Sequence, residues 1–405
     1  MPTEMATDRR SWWTLALVAY TFWVVMAGTT LPTPLYPLYQ AELRFGSLTT
    51  TVIYAVYAVG VIATLLMAGR SSDALGRRPL LAGAVVLSMA SAAVFLCGTG
   101  LAVLTVGRIV SGFSAGLVTS TATVALVELA DKAHRARATL VATAVNMLGL
   151  GCGPLLSGLL AEYAPHPLRL PFLIDLVLLL PAAFAVWRTP ETVAVARPAQ
   201  PWRELTRWQR PAVPARIRFV FIPASLATFA AFSVFGLLTA IEPGLLAALF
   251  GQSDRALAGA VVFSMFAGSA LGQLGSARLA TRVALPAGCV VLVAGLAAIA
   301  AALGTRSLAL LAVGTVVVGL GQGVCFRSGM AAITLHSPDD HRAEVVSAFL
   351  CVAYLGISLP VVLVGVAVAI VGLYHAAVAF TAVVAAVAVA AMVAILRLGR
   401  RLSPA

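Results

Sequence analysis

Leu101-Ala-Val-Leu-Thr-Val-Gly107 returns 207 residues later as Leu308-Ala-Leu-Leu-Ala-Val-Gly314. The register continues without a gap through Gly112/Gly319, Gly116/Gly323, His134-Arg135-Ala136/His341-Arg342-Ala343 and Leu148-Gly149/Leu355-Gly356. Pro79/Pro286 holds the same offset. Apolar segments resemble one another by chance, but loop residues at fixed spacing do not. The chain therefore reads as one unit written twice.

Composition says what kind of unit. Of 405 residues, 61% are hydrophobic and 10% charged, against about 25% charged in soluble domains. This excludes an ordinary water-soluble fold, and the high hydrophobicity excludes disorder. A spanning helix needs about 20 apolar residues. Twelve runs qualify: 13–35, 47–69, 79–98, 101–127, 138–161, 169–187, 217–241, 256–276, 284–303, 307–332, 343–367 and 374–396. A β-barrel would show short alternating segments instead. The expected fold is an all-α membrane protein of twelve helices, because backbone groups in lipid must be satisfied within the segment. The repeat lays span 4 on span 10 and span 5 on span 11. That divides the chain into a six-helix bundle (1–187), a linker (188–216) and a second six-helix bundle (217–405).

The net charge of +12 would suggest nucleic acid in a soluble protein. Here the arginines follow the loops. Twenty-one of the 27 basic residues fall on the side that carries both termini and the linker. Four (Arg44, Arg169, Arg255, Arg306) fall on the other, and Arg108 and Arg327 lie inside spans. Positive residues stay on the cytoplasmic side, so both termini and the linker are expected there, in a multi-pass protein of the cell inner membrane. No nucleic acid is expected as a partner. Arg9 and Arg10 precede an apolar run too long for a signal peptide, so it reads as an uncleaved first span with Trp12 and Trp13 at the interface. In the linker, Trp202, Leu205 and Trp208 alternate with Arg203, Arg207 and Arg210, either as a helix lying on anionic lipid or as a solvated connection.

Chemistry-bearing constellations are scarce. The five cysteines lie in spans at no metal-like spacing, and the five histidines are unclustered in or near loops. No phosphate-cradling G-x-x-x-x-G-K-[ST] is present. No metal, cofactor, catalytic residue or ATP-driven step is expected.

Three stretches carry more. Between spans 2 and 3 the chain reads Gly69-Arg-Ser-Ser-Asp73-Ala-Leu-Gly76-Arg77-Arg78-Pro79. Its glycines allow a tight turn, and Asp73 is placed to pair with Arg77 or to accept from a helix N-terminus. In span 4, Arg108, Gly112, Gly116 and Ser120 share one face by the four-residue rule. A charged residue there faces a cavity or a partner. In span 5, Gly149, Gly151, Gly153, Pro154 and Gly158 thin one face for close packing.

The first stretch resembles G-x-x-x-D-x-x-G-R-R of the major facilitator superfamily, with Ala74 where a basic residue is frequent. The second resembles that family's proton-coupling motif. The third resembles the antiporter motif G-x-x-x-G-P-x-x-G-G, with Ser157 for one glycine. Gly28-x-x-x-Pro32-x-Pro34 and Pro190-Glu191-Thr192 also resemble features of its twelve-helix drug:proton antiporters. The resemblance implies a small-molecule substrate, protons and a lipid bilayer as partners, and a monomer. It implies that Gly69, Asp73, Gly76, Arg77 and Arg78 form a gating loop joined by Glu128. The corresponding stretch of the second half, 276–282, lacks the Asp and both glycines, so the latch is expected on one side.

Asp175, in span 6 at a depth similar to Arg108, is either a proton-titrating acid or a structural partner for that arginine. Arg327 either meets a polar or anionic substrate or snorkels to the interface. By analogy, spans 1, 4, 7 and 10 line a central cavity. Tyr20, Trp23, Tyr54, Tyr57, Asn146, Phe232, Gln322, Arg327 and Tyr354 are the candidate wall. The expected function is proton-coupled export of small amphipathic molecules by alternating access. A sugar or metabolite exporter or facilitator without proton coupling, and a transport-inactive membrane sensor, remain alternatives. Asp73→Asn is expected to impair efflux of the transported compound while membrane expression stays normal; wild-type flux in that variant would sink the latch.

Overall fold

The computed structural model describes residues 2–68, 75–98, 100–131, 134–191, 212–338 and 341–402. Gly69 and Asp73 of the loop motif, and the Trp/Arg alternation of the linker, lie outside the described residues. Among the described residues there is no strand. The long helices are α1 (Pro2–Thr30), α2 (Ser47–Ala68), α3 (Arg77–Cys97), α4 (Leu101–Leu129), α5 (Arg135–Tyr163) and α6 (Leu170–Arg188). They continue with α7 (Arg218–Phe250), α8 (Arg255–Gly275), α9 (Thr281–Thr305), α10 (Leu308–His336) and a last apolar stretch, Arg342–Leu402. That stretch breaks at Gly372, whose φ of 80° and ψ of 164° are not helical. It is thus two helices, α11 (342–371) and α12 (373–402), which makes twelve. Large apolar side chains such as Val59, Val177, Phe184 and Ile370 stay more than half exposed, as expected of surfaces that meet lipid.

Local chemistry sets several boundaries. Asp254 accepts from the Leu257 amide at 2.9 Å and starts α8, and Ser307 accepts from Leu310 and starts α10. Gly251, at φ 64°, ends α7 in the left-handed conformation that glycine adopts most readily. The sequence predicts span 7 over 217–241. The helix runs on to Phe250 with Pro243 inside it, which puts Glu242 in the helix interior.

The helices pack as the repeat demands. α1 lies on α5, and α7 on α11. A β-carbon on Gly149 of α5 would sit 2.7 Å from the Trp23 carbonyl oxygen of α1. One on Gly356 of α11, its repeat equivalent, would sit 2.7 Å from the Phe229 carbonyl oxygen of α7. Likewise Gly112 of α4 packs on the Tyr57 carbonyl of α2, and Gly319 of α10 on the Met265 carbonyl of α8. The duplicated glycines make duplicated contacts, and only hydrogen in place of a side chain permits them.

Contact between the halves runs through α2 with α11 and α5 with α8. At the end of the bundle away from the chain termini, Gly365 of α11 packs on Thr51 of α2, and Gly158 of α5 packs on Arg255 and Gly259 of α8. Arg255 also binds Glu162 of α5 at 3.2 Å. Between α1 and α2 the prolines 32, 34 and 37 turn the chain through a short helix, Tyr36–Leu43. Leu35, just before it, and its own Tyr36 and Tyr39 share one core with Phe235, Leu238 and Leu246 of α7, which seals that end.

Gly112→Val is expected to lower the melting temperature of the purified protein and the folded fraction in size-exclusion profiles, by the about 1–3 kcal/mol of an overpacked interior. Gly83→Ala, where the nearest atom to an added β-carbon is 4.0 Å away, should leave both unchanged. Equal behaviour of the two variants would contradict the packing argument.

Candidate functional site

A cavity of about 90 Å³ lies between the halves. α1, α2, α4, α5, α7, α8, α10 and α11 contribute to its wall. It falls below the roughly 300–1,000 Å³ of drug-sized sites, so the halves are nearly closed on it. Six of the nine sequence-predicted wall residues line it: Tyr54, Tyr57, Asn146, Phe232, Gln322 and Tyr354. Three do not. The Tyr20 hydroxyl turns to α6 and donates to the Leu178 carbonyl at 2.8 Å. Trp23 lies beside the Tyr20 ring, with centroids 6.3 Å apart, while its backbone supports Gly149. Arg327 reaches along α8 to the Ala277 carbonyl at 3.5 Å, toward the end that carries the termini.

Arg108 does line the cavity. It is buried, with 3% exposure. Its Nη1 donates to the Thr29 carbonyl of α1 at 2.5 Å. The guanidinium carbon lies 4.6 Å from the centre of the Tyr57 ring and 5.5 Å from that of Tyr54, within cation–π range. Its Nε, also buried, has no hydrogen-bond partner. Of the two readings of Asp175, the pair with Arg108 is not formed among the described residues. α6 packs on α1 and α3, and Asp175 meets α1 at Gly28, where a β-carbon would sit 2.8 Å from Oδ2. Arg108 takes the carbonyl of the next residue, Thr29. The α1 backbone thus receives one charge at each of two consecutive residues. Gly28, the glycine of the span 1 proline motif, makes room for the carboxylate.

A second buried acid escaped the sequence reading. Glu242 is 1% exposed, and neither carboxylate oxygen has a partner among the described residues. It sits two turns along α7 from Phe235, which lines the cavity. The signal was there: beyond Glu242-Pro243 the apolar run resumes as Leu245-Leu-Ala-Ala-Leu-Phe250, with no charge before Gly251. Among the described residues, neither Asp175 nor Glu242 is in an ion pair.

At the end that carries the termini, Arg77 donates from Nε and Nη2 to Glu128 of α4 at 3.2 and 2.9 Å. Arg77 is buried and Glu128 about one-third exposed. Glu191, just past α6, accepts from the Arg77 and Arg78 amides at 2.8 and 3.0 Å. It thereby caps the N-terminus of α3, a favourable place for an anion. Gly76, at φ 93°, leaves the space that this carboxylate fills. The Pro190-Glu191 pair therefore fastens the end of α6 to the loop motif, a role that three matching residues did not reveal. The span 5 glycines divide between two neighbours: Gly149 and Gly153 face α1, while Gly151 and Gly158 face α8, where the Pro154 carbonyl packs on Gly259.

A family profile of the Major Facilitator Superfamily matches residues 18–282. Over 195 residues the chain is 32% identical to a protein described as an uncharacterized MFS-type transporter of Mycobacterium tuberculosis, a match covering 46% of this chain and 27% of that protein. It is 24% identical over 153 residues to the quinolone resistance protein NorA of Staphylococcus aureus, covering 38% of this chain and 39% of that one. The matched stretches thus span about a quarter and two-fifths of these relatives. The human organic anion transporter MFSD10 superposes with a TM-score of 0.68 over 95% of this chain and 99% of its own, at 18% identity. That likeness speaks for the fold alone. The profile covers well over half of the sequence, and the chain belongs to the Major Facilitator Superfamily.

Proposed function

We propose that the chain is a proton-coupled exporter of small amphipathic molecules, working by alternating access in the cell inner membrane with both termini cytoplasmic. The observation that carries this reading is the unpartnered carboxylate of Glu242. Burying a lone carboxylate charge inside the helix bundle costs several kcal/mol, so the group takes up a proton or meets a cation, and among the described residues no cation stands beside it. A helix that lines the cavity on one turn and holds such an acid two turns away ties proton occupancy to the shape of the substrate space. Asp175 is the second candidate acid. It is pressed against Gly28, one residue from the Arg108 contact. The resemblance to a protein named for quinolone resistance favours drug-like aromatic substrates and export.

The test uses everted vesicles with an imposed proton gradient and a quinolone as probe. Quinolone addition is expected to dissipate the gradient in vesicles containing the chain and not in empty ones. Glu242→Gln should reduce this proton movement about ten-fold or more, the scale of removing a proton-transferring group, and flatten the pH dependence of quinolone flux. Asp175→Asn distinguishes the two acids by the same readout. Flux with wild-type pH dependence in both variants would remove the coupled reading and leave a facilitator.

A further inference from the structure

The cavity wall holds one full charge, and that charge is positive. None of its described lining residues is acidic. Asp175 meets α1 at Gly28, and Glu242 is not part of the lining. Arg108 is therefore buried without a carboxylate. A backbone carbonyl and two ring faces compensate it in part. Its Nε, a donor fixed in the guanidinium plane, is left with nothing to bind. A buried charge of this kind costs several kcal/mol unless a counter-charge arrives.

A second orphan belongs to a residue of the same wall. The Oδ1 of Asn146, on α5, is buried without a donor. Apart from Thr29, Thr30, Thr119 and Gln322, which are polar but uncharged, the rest of the wall is apolar and aromatic, with Phe232, Phe235, Phe266 and Phe326 among it. The two missing partners are complementary. One site lacks an acceptor and the other lacks a donor.

We propose that this cavity takes amphipathic anions: molecules with an aromatic or aliphatic body, one acidic group for Arg108 and a hydrogen-bond donor for Asn146. The inference rests on the reading of the cavity as the substrate space of a transporter, and it names the substrate class. Organic cations are disfavoured, because a like charge brought beside Arg108 in a dry cavity meets repulsion that water does not screen. The guanidinium holds a carboxylate through paired, charge-assisted hydrogen bonds. The about 90 Å³ of free space requires the halves to part before such a molecule enters.

Three probes of one shape test this: 6-hydroxy-2-naphthoate, 6-methoxy-2-naphthoate and (6-hydroxynaphthalen-2-yl)methylammonium. Each is titrated by calorimetry into the full chain in phosphatidylcholine nanodiscs, with empty nanodiscs as the blank. The hydroxynaphthoate is expected to bind about ten-fold or more tightly than the ammonium, the scale of one hydrogen bond to a charged group. Arg108→Gln should remove that advantage and Arg108→Lys restore part of it. The methoxy probe should bind a few-fold more weakly than the hydroxy probe, a difference that Asn146→Ala abolishes. Equal or tighter binding of the ammonium, absent binding of the hydroxynaphthoate, or naphthoate affinity unchanged in Arg108→Gln overturns the proposal. Where Arg108→Gln does not fold, the comparison of probes on the native chain decides alone. Arg108-dependent naphthoate binding with no movement into proteoliposomes leaves this inference standing and removes the transport reading. Exchange of the ammonium for protons does the reverse.

Discussion

Close approach of one helix backbone to another at glycine is the interaction on which this structure depends. In hydrocarbon each helix satisfies its own amides, and burial from water adds nothing between helices that lipid does not already supply. Cohesion comes from dispersion and close fit. Gly112 against the Tyr57 carbonyl and Gly319 against that of Met265 draw α2 to α4 and α8 to α10. α5 is used twice. Gly149 and Gly153 bind it to α1 of its own half, while Gly158 binds it to α8 of the other. A side chain on either face would separate what that helix joins.

The few charges inside this frame follow two rules. Arg77 is paired with Glu128, at the edge where loop and helix meet. Arg108 and the carboxylates of Asp175 and Glu242 are kept apart, although mutual neutralisation would stabilise the fold. The α1 backbone takes Arg108 at Thr29 and Asp175 at Gly28. Burial of separated charges opposes folding, and the glycine packing has to outweigh it. Such a separation has a use when charge is to be supplied from outside: by a proton at an acid, and by a ligand at Arg108.

What the sequence revealed follows from what repeats and what is periodic. The twelve spans, the offset of 207 and the glycine positions all rest on regular spacing, and the equivalent contacts of Gly149 and Gly356 appear in the structure at that offset. Single side-chain directions were less legible. Tyr20 and Trp23 lie on the first helix as expected, but the rotation of α1 turns Tyr20 to Leu178 of α6. Glu242 lies one residue past the span end expected at 241, and α7 runs on to Phe250 with Pro243 inside it. The pairing of Arg108 with Asp175 failed for a reason no depth estimate contains: two residues at one level are neighbours only if no third helix passes between them.

The repeat also bears on motion. It equates α2 with α8 and α5 with α11, so the two contacts between halves, α2 with α11 and α5 with α8, are images of one another. Both are closed at the end away from the termini, where Gly365 meets Thr51 and Gly158 meets Gly259. The short helix Tyr36–Leu43 and the core around Leu35 and Phe235 add to that seal. In the proposed orientation, with both termini cytoplasmic, the sealed end is the outer one. Along the two seams themselves the contacts at that end centre on glycines, and the ion pair there among the described residues, Glu162 with Arg255, is partly exposed and worth little against solvent. Two equivalent, weakly charged seams can part together at one end while the glycine contacts within each half persist. Under the proposed alternating access, a cavity lined from both halves would then change access without either half being rebuilt.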